Sequence, residues 1–231
     1  MKEKNSMENT IESVNIFLLI KFKIKGTLRF LSHSQMLNLF QRACVRIGID
    51  LRYSHGFNPR PKISLPLPRP VGIESDDELL VLAVNGEPSV NTLKPESWAA
   101  QLPEGCELQS IDIVREKPSF QPCCAAYRFT VKHRIMDKNL ENRINHVMSS
   151  ESLVIERSIN KTNSMKKIDV RGFLISIMTE QNSIIVLCKI SSAGSIRVQE
   201  IMQLLDLDME MFACPIKRIN VQWQDIWQEK C

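Results

Sequence analysis

A chain of 231 residues, 43% hydrophobic and 24% charged, is long enough for one large or two small domains and too apolar to be disordered throughout. No apolar run approaches the ~18–20 residues that cross a bilayer, and the polar opening MKEKNSMENTIESVN lacks the apolar stretch of a secretory signal. A cytoplasmic protein without a membrane span is therefore expected, with residues 1–15 as a loose tail. The net charge of +4 conceals an asymmetry: residues 21–72 hold ten basic side chains against Asp50 alone, a balance of +9, while the remainder carries −5.

Ile16 to Ile24 predicts a strand, an apolar run passing into alternation with Lys21, Lys23 and Lys25. Ser32-His-Ser-Gln35 has the S-x-x-Q form of a capping box. The helix after it places Met36, Leu37, Phe40, Ala43, Cys44 and Ile47 on one face and Asn38, Arg42 and Arg46 on the other, with Gly48 as its C-terminal cap. Residues 53–62, YSHGFNPRPK, predict a loop. Ile63–Leu67 reads as a short edge strand and Glu78–Val84 as a central one. A helix from Pro95 and a strand at Glu107–Val114 complete a β-α-β-β-α-β order. After a Pro-containing connection at 115–124 the order repeats. It runs through a strand at Tyr127–Lys132, a helix at Asp137–Met148, a strand at Leu153–Glu156 and a hairpin of 170–178 with 183–190. A helix capped by Ser195 and a strand at Pro215–Trp223 follow. The expectation is an α+β fold of two tandem ferredoxin-like units with antiparallel sheets, spanning 16–114 and 125–231.

So concentrated a basic segment, with so little acid interleaved, points to a phosphate-bearing partner such as RNA. The candidate contacts are Arg29, His33, Arg42, Arg46, Tyr53, His55, Phe57, Asn58, Arg60, Lys62 and Arg69. In the 53–62 loop Gly56 lets a backbone approach closely, Arg60 can fork onto a phosphate, and Tyr53 or Phe57 can stack on a base. His33, in the first turn of its helix, serves either a ligand or local packing. The two histidines His33 and His55 flank opposite ends of one helix and need not meet. Tyr53, His55 and Lys62 also form a candidate acid, base and charge stabiliser for RNA cleavage. Binding asks for less precise geometry and is the preferred reading. Lys166, Lys167 and Arg171 read as a solvated strand edge, and His133 and His146 as surface residues.

Seven scattered cysteines, with no C-x-x-C pair, argue against a disulfide framework or a structural zinc, and the C-x3-C-x2-C spacing of a radical SAM cluster is missing. Reduced, mostly buried thiols are expected, and no metal or cofactor.

Phe30-Leu-Ser-His33, YSHGFNPRPKIS at 53–64 and LPLP…VGIES at 65–75 make the chain resemble the radical SAM-linked family, a bacterial domain family of unknown function. The likeness is strong over 22–84 and weaker to 223, with Lys-Ile-Asp-Val-Arg at 167–171 as its clearest later echo. It implies a partner, a separate radical SAM protein with a cobalamin-binding-type domain, rather than a reaction. Gln35 stands where the family usually has an acid, and His55 where it usually has Gln; a shared catalytic base would not normally be Gln. The reading from sequence is thus an accessory protein that holds RNA or another phosphate-rich substrate for such an enzyme. The alternatives are a metal-independent endoribonuclease and a protein–protein adaptor.

Overall fold

The computed structural model describes residues 15–159 and 164–225. Most of the expected N-terminal tail and Cys231 lie outside the described residues. Fifteen regular elements follow in order. The first half holds β1 (Ile16–Ile24), α1 (His33–Ile47), β2 (Ile63–Ser64), β3 (Glu74–Val84), α2 (Pro95–Ala99) and β4 (Cys106–Val114). The second holds β5 (Phe120–Thr130), α3 (Lys138–Ser149), β6 (Val154–Ile159), β7 (Ser164–Asp169), β8 (Leu174–Glu180) and β9 (Ser183–Ser191). It closes with β10 (Gly194–Ser195), α4 (Val198–Leu205) and β11 (Lys217–Asp225).

The result is a mixed α/β architecture with few helices and a mostly antiparallel sheet. Nine strands share that sheet; β6 and β7 form a separate hairpin. In the first half β1 lies between β3 and β4, and β2 adds to the far side of β3, every pair antiparallel. In the second half β5 lies between β9 and β11, and β8 adds to the far side of β9, again antiparallel. The halves do not keep separate sheets. They join where β11 runs parallel to β3 over two residue pairs, Lys217 with Glu74 and Arg218 with Ser75.

Alternation explains the layers. Ile16, Leu18, Ile20, Phe22 and Ile24 of β1 turn to one face, where Met36, Phe40, Ala43 and Cys44 of α1 and Trp98 of α2 bury against them. Phe40 is the centre of that packing, with its ring 4.7 Å from Phe22 and 6.4 Å from Trp98. Across the second half Tyr127, Phe129, Ile184 and Val186 receive Leu140, Ile144 and Val147 of α3 and Ile201 and Leu205 of α4. A smaller cluster of Phe17, Leu79, Val81 and Ala83 lies on the opposite face of the sheet, with Phe120 and Trp223 against it.

Helix α1 starts on a formed capping box, Ser32 Oγ accepting from the Gln35 amide and Gln35 Oε1 from the Ser32 amide. It ends on Gly48 at φ 81°. Three expectations need correction. Residues 120–124 are not connection but the start of β5, and Pro122 is tolerated because the ladder to β11 carries a bulge beside it. Strand β3 begins at Glu74, four residues before the apolar run. Helix α4 is capped at Arg197 rather than Ser195; the Glu200 carboxylate accepts from the Arg197 amide at 2.7 Å. Among the described residues no helix is long and apolar enough to cross a membrane.

Candidate nucleic-acid interface

The 53–62 loop is a finger with a zipped root. The Arg52 amide donates to the Ala83 carbonyl at 2.8 Å and the Lys62 amide to the Arg52 carbonyl at 2.7 Å, fastening both legs beside β3. Further out, Ser54 N donates to the Arg60 carbonyl at 2.8 Å and Ser54 Oγ accepts from Arg60 N at 2.9 Å. The tip between them contains Gly56 at φ 128°, a conformation open to glycine. His55, Phe57, Asn58 and Arg60 are all exposed, and the Phe57 ring is as exposed as in an extended chain, at 106%. An apolar ring held fully in water on a basic finger contributes nothing to the core.

At the root of the finger lies a cavity of about 420 Å³. Phe17, Val81 and Ala83 form its apolar side, and Arg52, Lys62 and Lys117 bring three positive charges to its lining, with no acid among the lining residues. Arg52 lies over the Phe17 ring at 5.7 Å and donates to the Val84 carbonyl at 3.1 Å and to Asn15 Oδ1. The sequence reading did not select Arg52 or Lys117. Arg52 carried a usable signal, since it directly precedes the loop within the basic segment. Lys117 arrives from the β4–β5 connection, and only the fold brings it here.

The remaining candidates are not gathered at this site. Arg42 and Arg46 line a shallow groove of about 550 Å³ between α1 and the segment after α2, where Arg46 Nη1 donates to the Gln101 carbonyl at 3.3 Å. Arg29, His33 and Arg69 lie toward the Ile24 end of β1, while the finger is rooted toward its Ile16 end; a nine-residue strand separates these ends by roughly 25 Å. His33 and His55 accordingly do not meet. Arg29 lies over the Phe30 ring at 4.4 Å and donates to the Gly26 carbonyl at 2.8 Å. Arg69 is committed inward. Its guanidinium donates to the carbonyls of Leu28, Arg29, Leu31, Pro70 and Ile73, which stitches the 69–73 segment to the turn before α1. Among the described residues no side-chain hydrogen bond joins Tyr53, His55 and Lys62.

In the second half, Lys166 and Lys167 are exposed on β7. Arg171 is a structural clamp, donating to the carbonyls of Met148, Ser150 and Leu174 at 2.9–3.0 Å. Asp169 does not pair with a neighbouring strand's cation. Its carboxylate accepts from the amides of Leu153 and Arg171, and those bonds hold its pKa below the ordinary 3.8. Of the cysteines, Cys44, Cys106 and Cys188 are buried, and burial pushes each thiol up to about 12; Cys123 and Cys124 are half-buried and Cys214 is exposed.

No curated protein matches the sequence. A family model does, over residues 18–198, which is well over half of the chain and spans the finger, most of its cavity and most of the second half. The chain belongs to the family of uncharacterised proteins conserved in bacteria, DUF2344.

Proposed function

We propose that this protein is an accessory RNA-binding protein that holds a single-stranded, phosphate-rich substrate on the 53–62 finger and in the cavity at its root. The observation that carries the reading is the acid-free cavity lined by Arg52, Lys62 and Lys117 at the root of the loop that exposes Phe57. Cations without interleaved acids favour a polyanion, and an exposed ring on the same loop offers a stacking platform for a base. Arg60 is exposed on the same loop. The catalytic alternative with Tyr53, His55 and Lys62 needs a geometry that no observation favours.

Two further parts of the proposal rest on less. The likeness of the 30–33 and 53–75 segments to the radical SAM-linked family supports a separate radical SAM enzyme as the working partner, and a cytoplasmic location goes with that. The pairing of β1 between β3 and β4, and of β5 between β9 and β11, supports the reading of two ferredoxin-like units fused along one sheet.

Titration with single-stranded RNA at several salt concentrations tests the binding. Replacing Arg60 and Lys62 together by Ala should lower the slope of log affinity against log salt by up to ~1.4, since each phosphate contact on a single strand is worth about 0.7. Phe57→Ala should weaken binding by ~1–3 kcal/mol with the slope unchanged. Equal affinities and slopes in all variants would remove the finger from any nucleic-acid site and leave the adaptor reading. Co-purification from cells, with bound protein and nucleic acid both identified, tests the partner.

A further inference from the structure

The junction of the two halves buries a charge cluster that is one acceptor short. Arg218, 1% exposed, donates through Nη2 to Glu78 at 2.5 Å and to the Leu67 carbonyl at 3.3 Å. Its Nε and Nη1 are buried without a partner among the described residues. Arg69 stands close by: burial lowers its pKa, Glu78 raises it and Arg218 lowers it again. Glu78 is thus the one carboxylate near two guanidinium groups, Arg218 bonded to it and Arg69 half-buried and bonded to backbone carbonyls, which leaves one positive charge in excess. A buried ion pair offsets its desolvation only when the remaining donors are satisfied, and here two are not.

A cavity of about 300 Å³ lies beside this cluster, at the Ser75 end of β3 and away from the finger. Leu67, Arg69 and Tyr127 line it together with Ser195, Arg197 and Val198 at the start of α4. Tyr127 is directly opposite Arg218 in the β5–β11 ladder and is 7% exposed. Burial pushes its phenol up, with Arg218 beside it acting in the opposite sense. Arg197, with its side chain 57% exposed, stands on the solvent side. The carboxylate nearest that helix start, Glu200, is already engaged by Arg157 Nε at 2.7 Å and Nη2 at 2.8 Å and by the Arg197 amide.

We propose that this cavity is a phosphate-binding site, with Arg197 at its mouth, Arg69 and Tyr127 in its wall, and the Arg218–Glu78 pair behind Tyr127. The start of α4 adds the positive end of a helix dipole on the same side. The volume suits a phosphate group with a small substituent, borne either by a free metabolite or by the end of a nucleic-acid strand. The site does not depend on the finger and stands or falls separately from the RNA reading.

The test is calorimetric titration of the full chain with inorganic phosphate, followed by a dinucleotide with and without a 5′-phosphate. One saturable equivalent of phosphate is expected. Arg197→Ala and Tyr127→Phe should each weaken it about tenfold, the effect of one lost charge-assisted hydrogen bond. Lys166→Ala/Lys167→Ala, which removes two exposed charges elsewhere, should leave it unchanged. A 5′-phosphorylated dinucleotide that binds tighter than phosphate would identify a strand end, and one that binds no tighter a free metabolite. Absence of saturable binding by the wild type, or an affinity unmoved by Arg197→Ala, an exposed position that does not endanger the fold, would overturn the proposal.

Discussion

Arg60 and Arg69, nine positions apart in one basic segment, have opposite fates. Arg60 projects from the finger into water, and Arg69 spends its guanidinium on five backbone carbonyls. Counting charges along a sequence finds both and distinguishes neither, because whether an arginine head meets solvent or carbonyls is decided by how the chain folds back around it. Arg69→Ala strips partners from several carbonyls at once and should cost ~2–4 kcal/mol in urea denaturation, whereas Arg60→Ala should change stability by less than ~0.5 kcal/mol. Equal losses would mean that the clamp is idle. Gly105 makes a similar point without charge. Its carbonyl accepts from Lys25 N at 2.8 Å, its φ is 90°, and a Cβ there would meet the Lys25 carbonyl oxygen at 2.6 Å. Gly105→Ala should therefore destabilise by at least ~1 kcal/mol, through both the backbone conformation and the clash.

Among the elements, α1 was legible at both ends because its boundary signals are local: a side chain that bonds an amide three residues on, and a glycine that alone tolerates the left-handed turn. Ser32→Ala should lower stability by ~1 kcal/mol, read from the shift of the denaturation midpoint. The start of β3 was not legible. Glu74-Ser-Asp-Asp77 reads as a polar loop, yet it lies in the sheet because distant partners satisfy its acids. Lys21 reaches Asp77 at 2.6 Å, Lys217 reaches Asp76 at 3.5 Å, and the Val221 amide donates to Asp77 at 2.8 Å. Pro122 misled for the same reason, since a bulge far along the chain accommodates it. Asp169 shows how a local acid fastens a hairpin, its carboxylate joining the amide before β6 to the amide after β7. Its folded pKa lies below the ordinary 3.8, so its contribution is complete above that value and is lost as the pH falls through the lower, folded one. Amide exchange at Leu153 and Arg171, corrected for the intrinsic rate, should accelerate below about pH 4 and not above it; a flat profile would show that the carboxylate holds nothing.

At the scale of the whole molecule, the expected element order suggested two units with sheets of their own, whereas strands from both parts share one nine-stranded sheet. The weld lies between β3 and β11: two parallel residue pairs, the Glu74 amide on the Ile216 carbonyl at 2.9 Å, the Val221 amide on Asp77 at 2.8 Å, Lys217 with Asp76 at 3.5 Å, and the buried Arg218–Glu78 pair. Neither Arg218 nor Glu78 announces itself in sequence, one following Lys217 at the start of the last strand and the other being the acid that opens an apolar run. Glu78→Ala leaves Arg218 buried without its counter-ion, at a cost of about 3–5 kcal/mol. Because the loss falls on the junction itself, that variant should separate a single calorimetric unfolding peak into two. One undivided peak at lower temperature would mean that the halves fold as a unit by other means. The finger carries a different consequence. The strands on either side of it, β1 and β3, are hydrogen-bonded to one another along most of their length, so the connection between them is dispensable for keeping them together. Chymotrypsin should cut first after Phe57, and the nicked chain should still elute as one folded species, parting into two fragments only in denaturant. Opened at that tip, the chain gives up no packing of the Phe57 side chain, which has none to lose.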